Sequence, residues 1–222
     1  MDASTAHAAR ERMVREQIAG RGVRDRRVLD AMRQVPRERF VDPAAAERAY
    51  EDRPLPIGHG QTISQPYVVA RMCELLGLVG HEKVLEIGAG CGYQTAVLAA
   101  LARQVYAVEI IPELARRAAE ALAACRCANA VVECGDGTGG WPAHAPYDAI
   151  LVAAGAPRIP VLLLDQLADR GRMVIPVGPR DGQKLVVVQR RGQEFLTEND
   201  TPVRFVDLVG RYGWGGRGPA QA

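Results

Sequence analysis

The segment VLEIGAGCGYQT at residues 84–95 places three glycines, Gly88, Gly90 and Gly92, at alternate positions directly after an apolar run that carries an acid, Glu86. Glycine tolerates positive φ and lets the backbone approach a ligand where a Cβ would collide. A helix opening near Gly92 would present its free N–H groups to that ligand. The pattern therefore predicts strand, tight turn and helix, the unit from which nucleotide-binding α/β sheets are built. The dinucleotide fingerprint G-x-G-x-x-G needs a glycine at 93, where this chain has Tyr93. G-x-G-x-G turns the reading from a nicotinamide cofactor toward S-adenosyl-L-methionine.

The rest of the chain supports an α/β architecture. Short apolar runs predict strands at 84–87, 105–108, 131–133, 149–152, 173–177 and 185–189, with helical spacing between them at 93–101, 112–124 and 160–168. Such alternation implies a doubly wound, Rossmann-like parallel sheet. Two further β-like runs are expected at 195–196 and 203–208. Upstream, Met13, Val14, Gln17 and Ile18, then Val28, Leu29, Met32 and Val35, predict an N-terminal helical extension. A loop rich in Pro and Gly is expected at 52–65, followed by a helix from Pro66 to about Leu76 with Ser64 or Gln65 near its N-cap. The expected organisation is residues 1–78 as extension and substrate loop, 79–210 as the cofactor-binding α/β domain and 211–222 as a flexible tail, all in one compact unit.

Composition removes several functions. A formal net charge of +2 and 5% aromatic residues do not suit a nucleic-acid surface. No run approaches a membrane span, and the N-terminus carries no apolar leader core, so a cytoplasmic protein without a membrane partner is expected. Five cysteines without paired C-x-x-C spacing read as reduced thiols; Cys125, Cys127 and Cys134 lack a nearby His, and no metal is expected.

Ligands of open α/β sheets lie beyond the carboxyl ends of the strands. Three acids fall there. Glu86 lies in the first strand. Glu109 follows it by 23 residues, near the spacing at which an acid accepts ribose hydroxyls. Asp136, before Gly137, is placed to receive an adenine amino group. The fourth strand ends Val152-Ala153-Ala154-Gly155, with no general base and no motif for amine or cytosine methylation. A carboxylate acceptor needs no base, because an ordinary carboxyl group, pKa roughly 3 to 4.5, is already ionised at neutral pH. In PIGHGQTISQP at 56–66, Gln61, Thr62 and Ser64 either orient such a carboxylate or cap the following helix; residue types alone leave both open. His59 in that loop has no visible partner.

Together these segments resemble the protein-L-isoaspartate (D-aspartate) O-methyltransferase family over roughly residues 13–209. PIGHGQTISQP is the most specific; VLEIGAGCGYQT, Gly135-Asp136-Gly137-Thr138 and the stretch 164–178 follow in the family's order, and 23–40 looks like its lead-in. The resemblance implies methyl transfer from S-adenosyl-L-methionine, leaving S-adenosyl-L-homocysteine, to the α-carboxylate of L-isoaspartyl and D-aspartyl residues in damaged proteins, and repair through an ester and a succinimide. It implies a catalytic Ser64 that orients the carboxylate, and cofactor contacts from Glu86, Gly88, Gly90, Glu109, Asp136 and Gly137. Thr62, Ile63, Ala89 and Gly92 complete the expected cofactor set. A monomer acting on isoaspartyl proteins is expected; other readings are a methyltransferase of another acceptor and a non-catalytic cofactor-binding module. Two positions depart from the family pattern: Cys91 stands where Ser or Thr is commoner, and Asp207 where Pro is usual. If Asp207 flanks the peptide site, it would repel acidic substrates.

Overall fold

The computed structural model describes residues 2–215. Helices α1 (Ala3–Arg12) and α2 (Arg26–Gln34) form the N-terminal layer, α1 continuing through a wider turn at Met13–Ile18. Asp25 caps α2 by accepting the amides of Arg27 and Val28. Residues 52–65, expected as a loop, instead contain a small antiparallel hairpin, β1 (Leu55–Gly58) and β2 (Gln61–Ile63). Leu55, Ile57 and Ile63 are buried. The strands are too short, and too interrupted by Pro and Gly, to show an alternating pattern in sequence. Helix α3 (Pro66–Leu76) follows with Pro66 in its first turn.

The central sheet contains β3 (Lys83–Ile87), β4 (Gln104–Glu109), β5 (Ala130–Cys134), β6 (Tyr147–Val152), β7 (Leu167–Val177), β8 (Gln183–Arg191) and β9 (Glu194–Val203). Their order is β5-β4-β3-β6-β7-β8-β9, parallel from β5 to β7 and antiparallel for the last two pairings. The connections diverge from β3, toward β4 on one side and β6 on the other, so the crevice at their carboxyl ends is the topological switch point. Helices α4 (Tyr93–Leu101) and α5 (Pro112–Ala124) join the parallel strands on the face that also carries the N-terminal layer and α3. Short α6 (Val161–Asp165) serves the other face, where Leu85, Ile87, Ile150, Val152, Met173 and Ile175 pack with Leu163 and Leu167. One apolar cluster runs from Ala6, Met13 and Ile18 through Met72 to Val84, Leu98 and Val174, across residue 78 without a break.

Three further expectations are corrected. The helix expected at 160–168 stops at Asp165, because Leu167 enters β7 and pairs with Tyr147; a bulge between Tyr147 and Ala149 then absorbs Arg170, at φ 63°. The run at 195–196 lies within one longer edge strand, β9, whose polar, largely exposed sequence hides its periodicity; of the run at 203–208 only Val203 belongs to it, and 204–208 leave the sheet and cross its carboxyl end. Of the expected flexible tail, residues 211–215 are folded down: Arg211 N–H reaches the Asp136 carboxylate at 2.7 Å and Trp214 Nε1–H the Gly155 carbonyl at 2.8 Å. Residues 216–222 lie outside the described residues.

Candidate active site

The glycine turn is held by the neighbouring strand β4. The amides of Gly88 and Ala89 donate to the Val108 carbonyl at 2.8 and 3.3 Å, which ties the turn to the end of β4. Gly92, at φ 86°, is the N-cap of α4, and a Cβ there would stand 3.2 Å from Ala118 of α5. A Cβ on Gly90, at φ 55°, would meet Ile57 of the hairpin at 3.3 Å. Glycine therefore allows helix, turn and hairpin to close on one another.

The three acids separate into different roles. Glu109 is 5% exposed and accepts the Gly90 amide at 2.8 Å on one oxygen and the Ile111 amide at 2.9 Å on the other. Both oxygens keep a lone pair for a ligand hydroxyl. Asp136 accepts the Thr138 amide and hydroxyl and the Arg211 amide. Burial pushes its pKa up, but the bonds from Arg211 and Thr138 outweigh that and hold it below the usual carboxylate value. Glu86 is fully buried, and neither oxygen has a partner. Burial pushes its pKa up to about 8; Thr95 opposes the shift and Glu109 adds to it.

Three connected hollows occupy the crevice. The first, of about 200 Å³, is walled by Gln61 and Thr62 of the hairpin, Gly88 and Gly90, Val108 to Ile111, Gly137, Ala153 and Ala154, and Val206 to Val209. The second, of about 480 Å³, lies between the hairpin and the start of β8 and is lined by Thr62, Ser64, Gln65, Val68, Gln183 and residues 202–206 among others. A crevice of about 40 Å³ includes Thr62, Ile63, Ser64, Gly88 to Cys91 and Tyr93. Thr62 and Ala153 border all three, marking where a group could pass between the two larger hollows.

Of the expected residues, Thr62, Gly88, Gly90, Glu109 and Gly137 thus line the first hollow, Ile63 and Ala89 the crevice, and Ser64 the second hollow and the crevice. Glu86, Gly92 and Asp136 line none of them. Glu86 lies in the core face of β3, Gly92 starts a helix, and Asp136 anchors the segment after residue 209. Capping does not explain Ser64, since α3 begins at Gln65 without a side-chain cap bond. His59 is at the exposed tip of the hairpin.

Asp207 corrects another expectation. It borders the first hollow and not the second, and its carboxylate is paired with Arg180 Nε at 2.7 Å, so it places no free negative charge at the second hollow. Residues missed by sequence reasoning include Ile110, Ala153, Gln183 and Val209, while Val206 to Leu208, which the resemblance set beside the peptide site, border the first hollow. The first two stand at strand ends, where the carboxyl-end rule could have found them. Gln183 is 2% exposed; its Nε2 donates to the Pro179 and Arg180 carbonyls and its Oε1 accepts the Phe205 amide, holding the wall shared by both larger hollows. Among the described residues, no three His, Cys, Asp or Glu are gathered to hold a metal ion.

The sequence profile of the family described as protein-L-isoaspartate(D-aspartate) O-methyltransferase matches residues 8–213. The chain is 57% identical over 208 residues to protein-L-isoaspartate O-methyltransferase 1 of Syntrophobacter fumaroxidans, covering 94% of this chain and 97% of that one. It is 55% identical to the protein-L-isoaspartate O-methyltransferase of Desulfotalea psychrophila, covering 93% and 96%. A solved protein-L-isoaspartate O-methyltransferase superposes with a TM-score of 0.83 at 28% identity over 92% of this chain and 67% of that one. The same fold appears in a Plasmodium falciparum protein solved with S-adenosyl-L-homocysteine, with a TM-score of 0.79 at 24% identity, over 90% of this chain and 98% of the other.

Proposed function

Because the chain belongs to the protein-L-isoaspartate(D-aspartate) O-methyltransferase family, we propose that it methylates the free α-carboxylate of L-isoaspartyl residues in damaged proteins, using S-adenosyl-L-methionine. One observation carries the assignment to this site: the nucleotide-type hollow at the glycine turn and the polar-lipped hollow beside Ser64 share a border at Thr62 and Ala153.

The residues of the first hollow fit the cofactor. Glu109, fixed by two backbone amides, has lone pairs for ribose hydroxyls. Ile110 and Val209, 41% and 53% exposed, offer apolar faces at its mouth for a flat ring. Gly88 and Gly90, with Ala89, Thr62 and Ile63, are assigned to the amino-acid end. S-Adenosyl-L-methionine supplies an electrophilic methyl group on sulfur.

In the second hollow Ser64 is assigned to orient the acceptor by donating its hydroxyl to one carboxylate oxygen, leaving the other free to attack. No residue has to remove a proton from the acceptor, which is ionised at neutral pH. Ala153 and Val68 leave the reacting oxygen little competing hydrogen bonding. The protein's contribution is thereby proximity and orientation. The ester is consumed when the following peptide nitrogen, losing its proton, attacks the ester carbonyl and expels methanol to close a succinimide, whose hydrolysis returns part of the material as normal aspartate. D-Aspartyl residues are proposed as secondary acceptors.

Residues 1–78 are proposed to form the acceptor side and 79–210 the cofactor side of one unit. No helix among the described residues is long and apolar enough to cross a membrane. A monomer in the cytoplasm is the proposed state, and the five free cysteines support the reducing compartment.

The test uses methyl-labelled cofactor and two peptides that differ only in an isoaspartyl or aspartyl linkage. Base-labile methanol from the isoaspartyl peptide alone is expected; none from either, with cofactor binding intact, overturns the acceptor assignment.

A further inference from the structure

Arg37 is 0% exposed, among the most deeply buried side chains of the protein. Its Nε donates to the Ala49 carbonyl at 2.7 Å and its Nη2 to the Ser64 carbonyl at 2.8 Å, while Nη1 has no partner. The guanidinium carbon lies 4.8 Å from the centre of the Tyr93 ring, in the first turn of α4. After burial, the groups that act most on it are Tyr93, Cys91 and Tyr50, and it forms none of the ion pairs found among the described residues. The Tyr50 hydroxyl is itself donated to Glu38. A second cation, Arg10, has a buried Nε without a partner and acts on the same two tyrosines.

An arginine in such a place is unusual. Burying a charge is costly unless an ion pair or a full set of hydrogen bonds compensates it, and a shape-matched apolar chain would serve packing better. Burial pulls the group below its ordinary value, yet arginine starts so high that it stays charged at neutral pH. What this cation touches is the backbone of Ser64, the residue assigned above to the acceptor carboxylate, and the ring of Tyr93, which borders the crevice joining the two hollows.

We propose that Arg37 is a positioning residue for methyl transfer, which fixes the Ser64 peptide and supplies, from behind the acceptor loop, the positive charge that favours an anionic acceptor. The inference rests on the acceptor assignment made above. The guanidinium is withdrawn from the acceptor, so it attracts the carboxylate through low-dielectric protein. A direct ion pair would instead hold the attacking oxygen as an unreactive partner. The charge belongs to the N-terminal layer, and gives residues 37–49 a function beyond covering the sheet.

The test compares two inhibitors of methylation of an isoaspartyl peptide: a non-identical isoaspartyl peptide and its twin with the α-carboxylate replaced by a carboxamide. Wild-type protein is expected to prefer the carboxylate. In Arg37→Met the KM for the isoaspartyl substrate should rise about tenfold and the preference should fall by a similar factor, while cofactor affinity stays within about twofold. Arg37→Lys, which keeps the charge, should retain the preference. A simple loss of folded protein would lower kcat at unchanged KM and unchanged preference; that result in Arg37→Met overturns the proposal. If Arg37→Met does not fold, loss of preference in Arg37→Lys overturns it, as does a wild-type protein that binds the twins alike. Wild-type protein that methylates no isoaspartyl peptide would instead refute the acceptor assignment, so the two failures are distinct.

Discussion

Glu109, at the end of β4, accepts the amide hydrogen of Gly90, the middle glycine of the turn that follows β3, at 2.8 Å. One carboxylate thereby aligns the turn while remaining available to a ligand. Glu109→Ala should lose both services. Its dissociation constant for S-adenosyl-L-homocysteine, measured by calorimetry, is expected to rise by about tenfold to a hundredfold, the scale of one or two charge-assisted hydrogen bonds. Unchanged affinity would contradict the role assigned to this carboxylate.

Ser64→Ala should separate turnover from binding. With no cap bond to lose at the start of α3, the melting temperature should stay within about 2 °C, while kcat on an isoaspartyl peptide falls about tenfold or more and cofactor affinity is kept. A variant that turns over at the wild-type rate would remove Ser64 from the mechanism.

Glu86 makes stability depend on pH in an uncommon direction. Its folded pKa, raised by burial to about 8, lies above the ordinary value of 4.5. Its favourable contribution is therefore fully present below about pH 4.5 and is lost as pH rises toward 8. Glu86→Gln keeps the shape of the protonated acid and should melt with wild type near pH 4.5 but well above it near pH 8, where the two pKa values imply a loss on the order of 4 kcal/mol in the wild type. Melting curves that stay parallel across this range would show that Glu86 does not titrate as stated.

Asp207 is paired with Arg180 at 2.7 Å and faces the first hollow. Leu208, not Asp207, donates to Gly155 in the bridge that pins this segment. Asp207→Pro should therefore be tolerated, changing stability by less than about 1 kcal/mol, the usual worth of an exposed ion pair. The ratio of KM values for acidic and neutral isoaspartyl peptides should not move; an improvement confined to acidic peptides would restore the repulsive role.

Much of this fold is written in local patterns. The four central strands are apolar runs buried on both faces, and α5 begins at Pro112 and ends at Ala124 as its apolar spacing and first-turn proline predict. The turn at Gly88 to Gly92 and the acid at Glu109 were legible because both depend on spacing within one β-turn-α-β unit. What was hidden depends on distant partners. Leu167 satisfies helical spacing but is taken by Tyr147 into the sheet. Val206 to Val209 acquire their place through Gly155, about fifty residues earlier in the chain. Arg37 sits in the charged run Arg37-Glu38-Arg39, which reads as surface; only the assembled N-terminal layer shows it to be interior.

The crossing of residues 206–209 over the carboxyl ends of β3 and β6 also sets an order in time. The wall they give the first hollow is synthesised about a hundred residues after the glycine turn and Glu109. A chain that stops at residue 200 holds every parallel strand, yet lacks the segment that walls the first hollow. An enclosed cofactor hollow is therefore acquired only once residues 206–209 have been made, and a chain cut before them would keep the parallel strands but leave the crevice open.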